Sequence, residues 1–188
     1  YELSYSEFAA AVVSLAEKIR RHKKKRPKVA IMLPSGIEFC CAVFAAWQAN
    51  GIISTHNSLQ PEAALESQFF LVEPDLVIAP PERREIVERI AATADHIFLN
   101  DGCFTLNRMP AQSRPDWPVA AGDYLSLLLF TGGTTGVAKS VEHSFATVSA
   151  SVRGMEHGWP TETGKEVWLS ISPMFHVYGF LFCVLNPV

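Results

Sequence analysis

Four short runs that are apolar almost throughout, 28-KVAIML-33, 51-GIIST-55, 75-DLVIAP-80 and 96-HIFLN-100, are separated from one another by segments of helical periodicity. A strand apolar on both faces must be covered on both, and parallel neighbours need a crossover of a dozen or more residues between them, usually a helix. The alternation therefore predicts an α/β chain whose mainly parallel sheet is flanked by helices on both faces.

The intervening segments carry helix signals of their own. Ser4-x-x-Glu7 is a capping box, and Phe8, Val12, Leu15 and Ile19 recur behind it at helical spacing, which predicts a helix over about residues 5 to 22. Ile37 to Ala49 reads as a mostly buried helix closed by Asn50-Gly51. A third helix covers 61 to 71 with Pro61 in its first turn, and a fourth covers 82 to 94 with Ile86, Val87 and Ile90 turned inward. Residues 101 to 122, with Pro110, Pro115 and Pro118, form a segment too long to be a mere connection.

Composition narrows the function classes. The 188 residues, 48% of them hydrophobic, suffice for one good core. A formal net charge of -3 argues against a nucleic-acid partner, which needs an excess of cations on one face. Arg20, Arg21, Lys23, Lys24, Lys25 and Arg26 do cluster, but no aromatic residue interleaves them, and they fall at a predicted helix C-terminus where cations oppose the macrodipole and stay solvated. Cys40, Cys41, Cys103 and Cys183 form no CxxC pair and read as free thiols in an intracellular, reducing compartment; no metal site is suggested. No apolar span reaches 18 residues, so no transmembrane helix is expected. The chain opens at Tyr1 and stops at 182-FCVLNPV-188 inside patterned sequence, and both ends read as cut.

The chemistry is concentrated in 123-DYLSLLLFTGGTTGVAKSVEHS-144. After the apolar run from Tyr124 to Phe130, Thr131, Gly132, Gly133, Thr134, Thr135 and Gly136 put consecutive backbone N–H groups and three hydroxyls into a small volume. The glycines permit left-handed backbone angles and remove side chains that would block a ligand. Donors gathered at the carboxyl edge of a sheet, with Lys139 as a point charge, suit phosphate oxygens. A plain tight turn needs one or two glycines and has no use for three hydroxyls.

Two phosphate loops compete for this turn. From Gly133 the chain fits the Walker pattern GxxxxGK[ST] except at the second glycine, where Ala138 brings a Cβ into the crowded part of the nest. A Walker loop also opens directly into a helix, whereas 140-SVEHS-144 reads as an extended piece before a helix that starts at Ser144. The stretch T-G-G-T-T-G-V-A-K-S-V instead resembles the phosphate loop of the adenylate-forming enzymes, the acyl-CoA synthetase, 4-coumarate:CoA ligase and luciferase superfamily, whose pattern is [ST]-[SG]-G-T-T-G-x-P-K-G-V. Downstream, 173-PMFHVYGF-180 is similar to that family's P-x-F-H-x-x-G motif. Upstream, 3-LSYSEFAAAVVSLAEKI-19, 29-VAIMLPSGIEFCCAVFAAWQANGIIS-54 and 57-NSLQPEAALESQFFLVEPDLVIA-79 resemble its opening helix, its strand, turn and helix, and its N-x-x-x-P-x-E-L stretch. The resemblance covers nearly the whole chain.

The resemblance implies that Thr131, Gly132, Gly133, Thr134, Thr135, Gly136 and Lys139 cradle the β- and γ-phosphates of ATP while a carboxylate is adenylated, with Mg2+ sharing the task and coenzyme A as acceptor. His176, with Tyr178 and Gly179 beside it, lines the acyl pocket on this reading; His143 reads as structural. Ala138 stands where the family has proline and Ser140 where it has glycine. The family's adenine and ribose motifs, metal-binding glutamate, hinge and carboxylate-polarising lysine lie downstream of P-x-F-H-x-x-G and outside these residues. The chain is accordingly expected to be a partial N-terminal AMP-binding domain, 1 to 188, without the C-terminal catalytic-lysine domain. On that expectation it holds no catalytic residue, is inactive alone, and belongs in the cytoplasm or a peroxisome. A non-catalytic relative using the same sheet for binding, and a degenerate P-loop NTPase, are the alternatives.

Overall fold

The computed structural model describes residues 2–99, 123–131, 139–162 and 164–187. Helix α1 (Tyr5–Arg20) leads into strand β1 (Lys28–Ile31), helix α2 (Ile37–Gln48), strand β2 (Ile52–Thr55), helix α3 (Glu62–Val72) and strand β3 (Leu76–Ala79). A 3-10 turn (Pro81–Arg83) precedes helix α4 (Arg84–Ile90) and strand β4 (Asp95–Phe98). Strands β5 (Leu125–Thr131) and β6 (Lys139–Ser144) and helix α5 (Phe145–Gly158) follow, and helical turns Val177–Gly179 and Phe180–Leu185 close the described chain.

The expected elements form largely where local signals placed them. Ser4 caps α1 through the full capping box: its hydroxyl accepts from the Glu7 amide, and the Glu7 side chain reaches back to the Ser4 amide. Helix α2 ends at Gln48 with Ala49 as its cap; Asn50 then takes a left-handed φ of 61°, and Gly51 follows because an added Cβ would lie 3.0 Å from the Ala46 carbonyl oxygen and 3.2 Å from that of Pro27. The helix expected over 82 to 94 is shorter than its periodicity suggests: it opens as a 3-10 turn that begins at Pro81 and stops at Ile90, with Ala91 at φ -128° and ψ 42°. The 101 to 122 segment, Cys103 and the long-loop expectation lie outside the described residues.

The sheet has six strands in the order β4-β3-β1-β2-β5-β6. Every pair from β4 to β5 is parallel, and β6 alone runs antiparallel, paired to β5 from Leu125↔Ser144 to Thr131↔Lys139. Strand alternation divides the core between the two faces. Val29, Ile31, Ile53, Leu76, Ile78, Leu127 and Leu129 pack against α1 and α2, whereas Ala30, Met32, Val77 and Ala79 pack against Leu65 and Phe69 of α3 and Val87 of α4. The doubly covered sheet is thus as the alternation predicts.

The basic run does more than stay solvated. Arg20 donates to the Gln48 carbonyl at 2.8 Å, Lys24 pairs with Asp75 at 2.5 Å, and Arg26 donates to the Leu125 carbonyl at 2.5 Å with its guanidinium 4.8 Å from the centre of the Tyr124 ring. These cations tie α1 to the amino-terminal edge of the sheet. Among the described residues no helix is long and apolar enough to cross a membrane.

Candidate functional site

The sheet topology fixes where a ligand site forms. The connection leaving β2 turns back toward β3, on the far side of β1, whereas the one leaving β5 turns outward to β6. The connections that follow β2 and β5 therefore lead in opposite directions along the sheet, and α/β sheets bind ligands at such switch points. Thr131, the last residue of β5, stands at this edge, and Lys139 is its partner across the antiparallel pair. Both are exposed. The chain thus leaves the sheet at Thr131 and re-enters it at Lys139 through one residue pair. Gly132, Gly133, Thr134, Thr135, Gly136 and Ala138 lie outside the described residues.

The hairpin separates the two phosphate-loop templates. In the Walker arrangement the lysine sits where the loop opens a helix; here Lys139 opens a strand, and the helix begins only at Phe145, capped by Ser144, whose hydroxyl accepts from the Thr147 amide at 3.2 Å. The extended piece expected at 140 to 144 is this edge strand. Ser140 lies inside it opposite Phe130, an extended position that requires no glycine.

The second motif reaches the same edge. Thr55, at the end of β2, donates its hydroxyl to the Phe175 carbonyl at 2.8 Å, and Ser35, in the turn after β1, accepts from the Met174 amide at 3.0 Å. His176 is exposed; its amide donates to the Pro173 carbonyl at 3.1 Å and its own carbonyl accepts from the Phe180 amide at 2.7 Å. Tyr178 is half exposed and stacks on Phe182 with ring centres 4.5 Å apart. Gly179 has a different part: an added Cβ would lie 2.1 Å from the Pro173 carbonyl oxygen, so the glycine allows the helical turn to close onto the backbone of Pro173. The segment that carries His176 and Tyr178, shaped by Gly179, is thereby anchored at the carboxyl ends of β1 and β2, and β2 is the neighbour of the strand that ends at Thr131.

Thr55 and Ser35 carried no signal strong enough to be read from sequence, and neither did His56. That histidine is 1% exposed. Its Nδ1 lies 2.8 Å from Gln68 Oε1 and its Nε2 2.9 Å from Ser54 Oγ. Because Gln68 Oε1 only accepts, Nδ1 carries the proton and Nε2 accepts from the Ser54 hydroxyl. Burial pulls the imidazole down to about 4, against the upward pull of the Gln68 bond, so the ring is neutral. Its centre is 5.2 Å from that of Phe130, the residue before Thr131.

Beside the Ser35–Met174 contact, a cavity of about 400 Å³ lies between the start of α1, the start of α2 and the last helical turns, with Phe8, Ser35, Ile37, Cys40, Met174 and Cys183 in its wall. Cys40, Cys41 and Cys183 are free thiols. Burial, reinforced by Cys183, pushes the Cys40 thiol up to about 12, which leaves it protonated and unreactive. Among the described residues no three His, Cys, Asp or Glu side chains converge to hold a metal ion.

Comparison with known proteins agrees with this geometry. The model of the family described as AMP-binding enzyme matches residues 1–188. The chain is 27% identical to a probable CoA ligase of Humulus lupulus over 94% of its own length and 34% of the relative's. It is 25% identical to the mitochondrial malonate–CoA ligase of Bos taurus over 87% of its own length and 28% of the relative's. It thus spans about a third of the curated relatives that it matches. Among solved structures, ATP-bound MatB from Rhodopseudomonas palustris has the same fold, with a TM-score of 0.83 and 21% identity over 99% of this chain and 38% of that one.

Proposed function

Because the chain belongs to the AMP-binding enzyme family, we propose that residues 1 to 188 are a partial N-terminal domain of an ATP-dependent carboxylate-adenylating ligase of the acyl-CoA or aryl-CoA synthetase type. The observation that carries the reading is the pairing of Thr131 with Lys139 at the end of β5, the neighbour of the strand whose Thr55 anchors Phe175. Two polar sites, one suited to phosphates and one beside an exposed histidine, share that edge.

In this reading the N–H groups and hydroxyls of Thr131, Gly132, Gly133, Thr134, Thr135 and Gly136 take the β- and γ-phosphates, and Lys139 supplies a compact positive charge at the foot of the turn. The carboxylate attacks the α-phosphorus, pyrophosphate leaves, and donors fixed at the leaving group stabilise the charge that develops there. Magnesium bound with the nucleotide would supply further charge neutralisation at the phosphates. His176 and Tyr178 line the carboxylate side, with Gly179 allowing their segment to seat. Coenzyme A is the acceptor proposed for the acyl group, as the names of the relatives suggest. The residues that polarise the carboxylate belong to a C-terminal portion of the same enzyme, and a cytoplasmic or peroxisomal setting suits the free thiols.

Titration of the chain with Mg·ATP, followed by calorimetry, tests the reading. Saturable binding is expected, weakened at least tenfold by Lys139→Ala, while Lys25→Ala leaves it unchanged. An equal affinity in wild type and Lys139→Ala removes the phosphate role of the turn.

A further inference from the structure

We propose that His56 is a positioning residue for the phosphate turn: clamped between Ser54 and Gln68, its ring holds Phe130 and thereby the strand ends from which Thr131 and Lys139 enter the turn. The inference rests on the reading of residues 131–139 as a phosphate turn and adds to it a residue that makes no contact with substrate.

Histidine is an otherwise poor choice for so buried a position. A polar ring that is 1% exposed at the end of a parallel strand gains nothing over leucine unless both nitrogens are used, and here both are. Two hydrogen bonds on opposite sides of a flat ring fix its plane as well as its place, which a hydrocarbon side chain cannot do. The partners come from different elements. Ser54 lies in β2, Gln68 is a buried residue of α3, and the His56 amide continues the ladder onto β1 by donating to the Ile31 carbonyl at 2.9 Å. The ring is thus referenced to three elements that lie outside the hairpin.

That fixed ring then meets the hairpin at one residue. Phe130 packs on His56 at 5.2 Å with the planes tilted by 42°, and Phe69 of α3 closes the other side edge-on at 4.9 Å. In the ladder Phe130 is opposite Ser140 and is followed by the Thr131↔Lys139 pair. The last pairs of the β5 and β6 ladder therefore receive their lateral reference from the His56 ring, since β5 registers directly with β2 only at Ile53↔Leu127 and Ser54↔Leu128, short of this end. Preorganised donors act on a leaving phosphate only when their positions are held in advance.

The test compares wild type with His56→Phe, which keeps a flat ring and loses both hydrogen bonds, and with Gln68→Leu, which removes one partner and leaves the imidazole in place. Amide hydrogen exchange, followed on the nucleotide-free chain, is expected to quicken at least tenfold at Thr131, Lys139 and Ser140 in both variants while the buried face of α1 around Leu15 keeps its wild-type rate. The Mg·ATP dissociation constant is expected to rise about tenfold at a temperature well below unfolding. A core histidine with no positioning role predicts instead that exchange quickens uniformly with global stability, or not at all, and either result overturns the proposal. The exchange experiment needs no ligand, so a wild-type chain that fails to bind Mg·ATP sinks the reading of the turn while the role of His56 is still decided. If His56→Phe does not fold, Gln68→Leu carries the same comparison.

Discussion

The hydroxyl of Thr55 donates to the carbonyl of Phe175 at 2.8 Å, joining the end of β2 to a segment 120 residues further along the chain. This bond, with the one from the Met174 amide to Ser35, seats the histidine-bearing turn on the carboxyl edge of the sheet. Thr55→Val keeps the shape of the side chain and leaves the Phe175 carbonyl without this donor. A loss of about 1 to 2 kcal/mol in urea unfolding is expected, together with faster proteolysis between residues 174 and 180.

Two glycines separate a steric requirement from mere composition. Gly179→Ala drives a Cβ against the Pro173 backbone at 2.1 Å, and the helical turn must shift to accept it. The expected cost is about 2 kcal/mol or more, with loss of the Thr55 bond visible by NMR. Gly154, inside α5, has nothing within 4 Å of an added Cβ, so Gly154→Ala is expected to stabilise the chain by about 0.5 to 1 kcal/mol. Thermal or urea unfolding of the pair checks both signs.

His56 makes stability depend on pH. The native imidazole titrates near 4 and the unfolded one near its ordinary 6.5. Above 6.5 neither state takes the proton; between 6.5 and 4 the unfolded chain takes it and the native chain does not, so stability is lost as the pH falls through this window. At 1.36 kcal/mol per pH unit the loss amounts to roughly 3 kcal/mol. Unfolding followed from pH 7 to pH 4 is expected to show this slope in wild type and a flatter one in His56→Phe.

Asp75 acts at lower pH. Burial raises its carboxyl, but the Lys24 ammonium and the Lys28 amide outweigh that and hold it below the usual carboxylate range. Its contribution is therefore present above the ordinary carboxylate range and lost as the pH falls through the native value. Asp75→Asn is expected to remove an acid-side component of the unfolding profile, below the His56 window.

The basic run divides into cations with partners and cations with less to lose. Arg26→Met removes a hydrogen bond to the Leu125 carbonyl and the contact over Tyr124, with an expected loss of about 1 to 2 kcal/mol. Lys25→Met, at an exposed position in the same run, is expected to change unfolding by less than about 0.5 kcal/mol.

The elements were legible because their signals are local. Ser4 and Glu7 announce a cap three residues apart, and Val29, Ala30 and Ile31 announce a strand covered on both faces without reference to any other segment. The stretch from 131 to 139 stood out for the same reason, as a density of glycine and hydroxyl residues within nine positions, and its residues 132 to 138 lie outside the described ones. His56 was not. It stands between a strand and a loop, where a histidine carries no periodicity, and its meaning depends on Gln68 and Phe130, which reach it only after α3 and β5 have packed.

What the sequence determined by itself was the succession of covered strands and helices and the residues that gather at each turn, since hydrophobic period and capping act over a few positions. The tertiary structure decided that β2 and β5 lie side by side, that β6 turns back along β5 so that Thr131 faces Lys139, and that Phe175 and His176 come to the same edge. Adjacency between strands is chosen by long-range packing and backbone pairing of the whole sheet, and no local stretch of the chain contains that information.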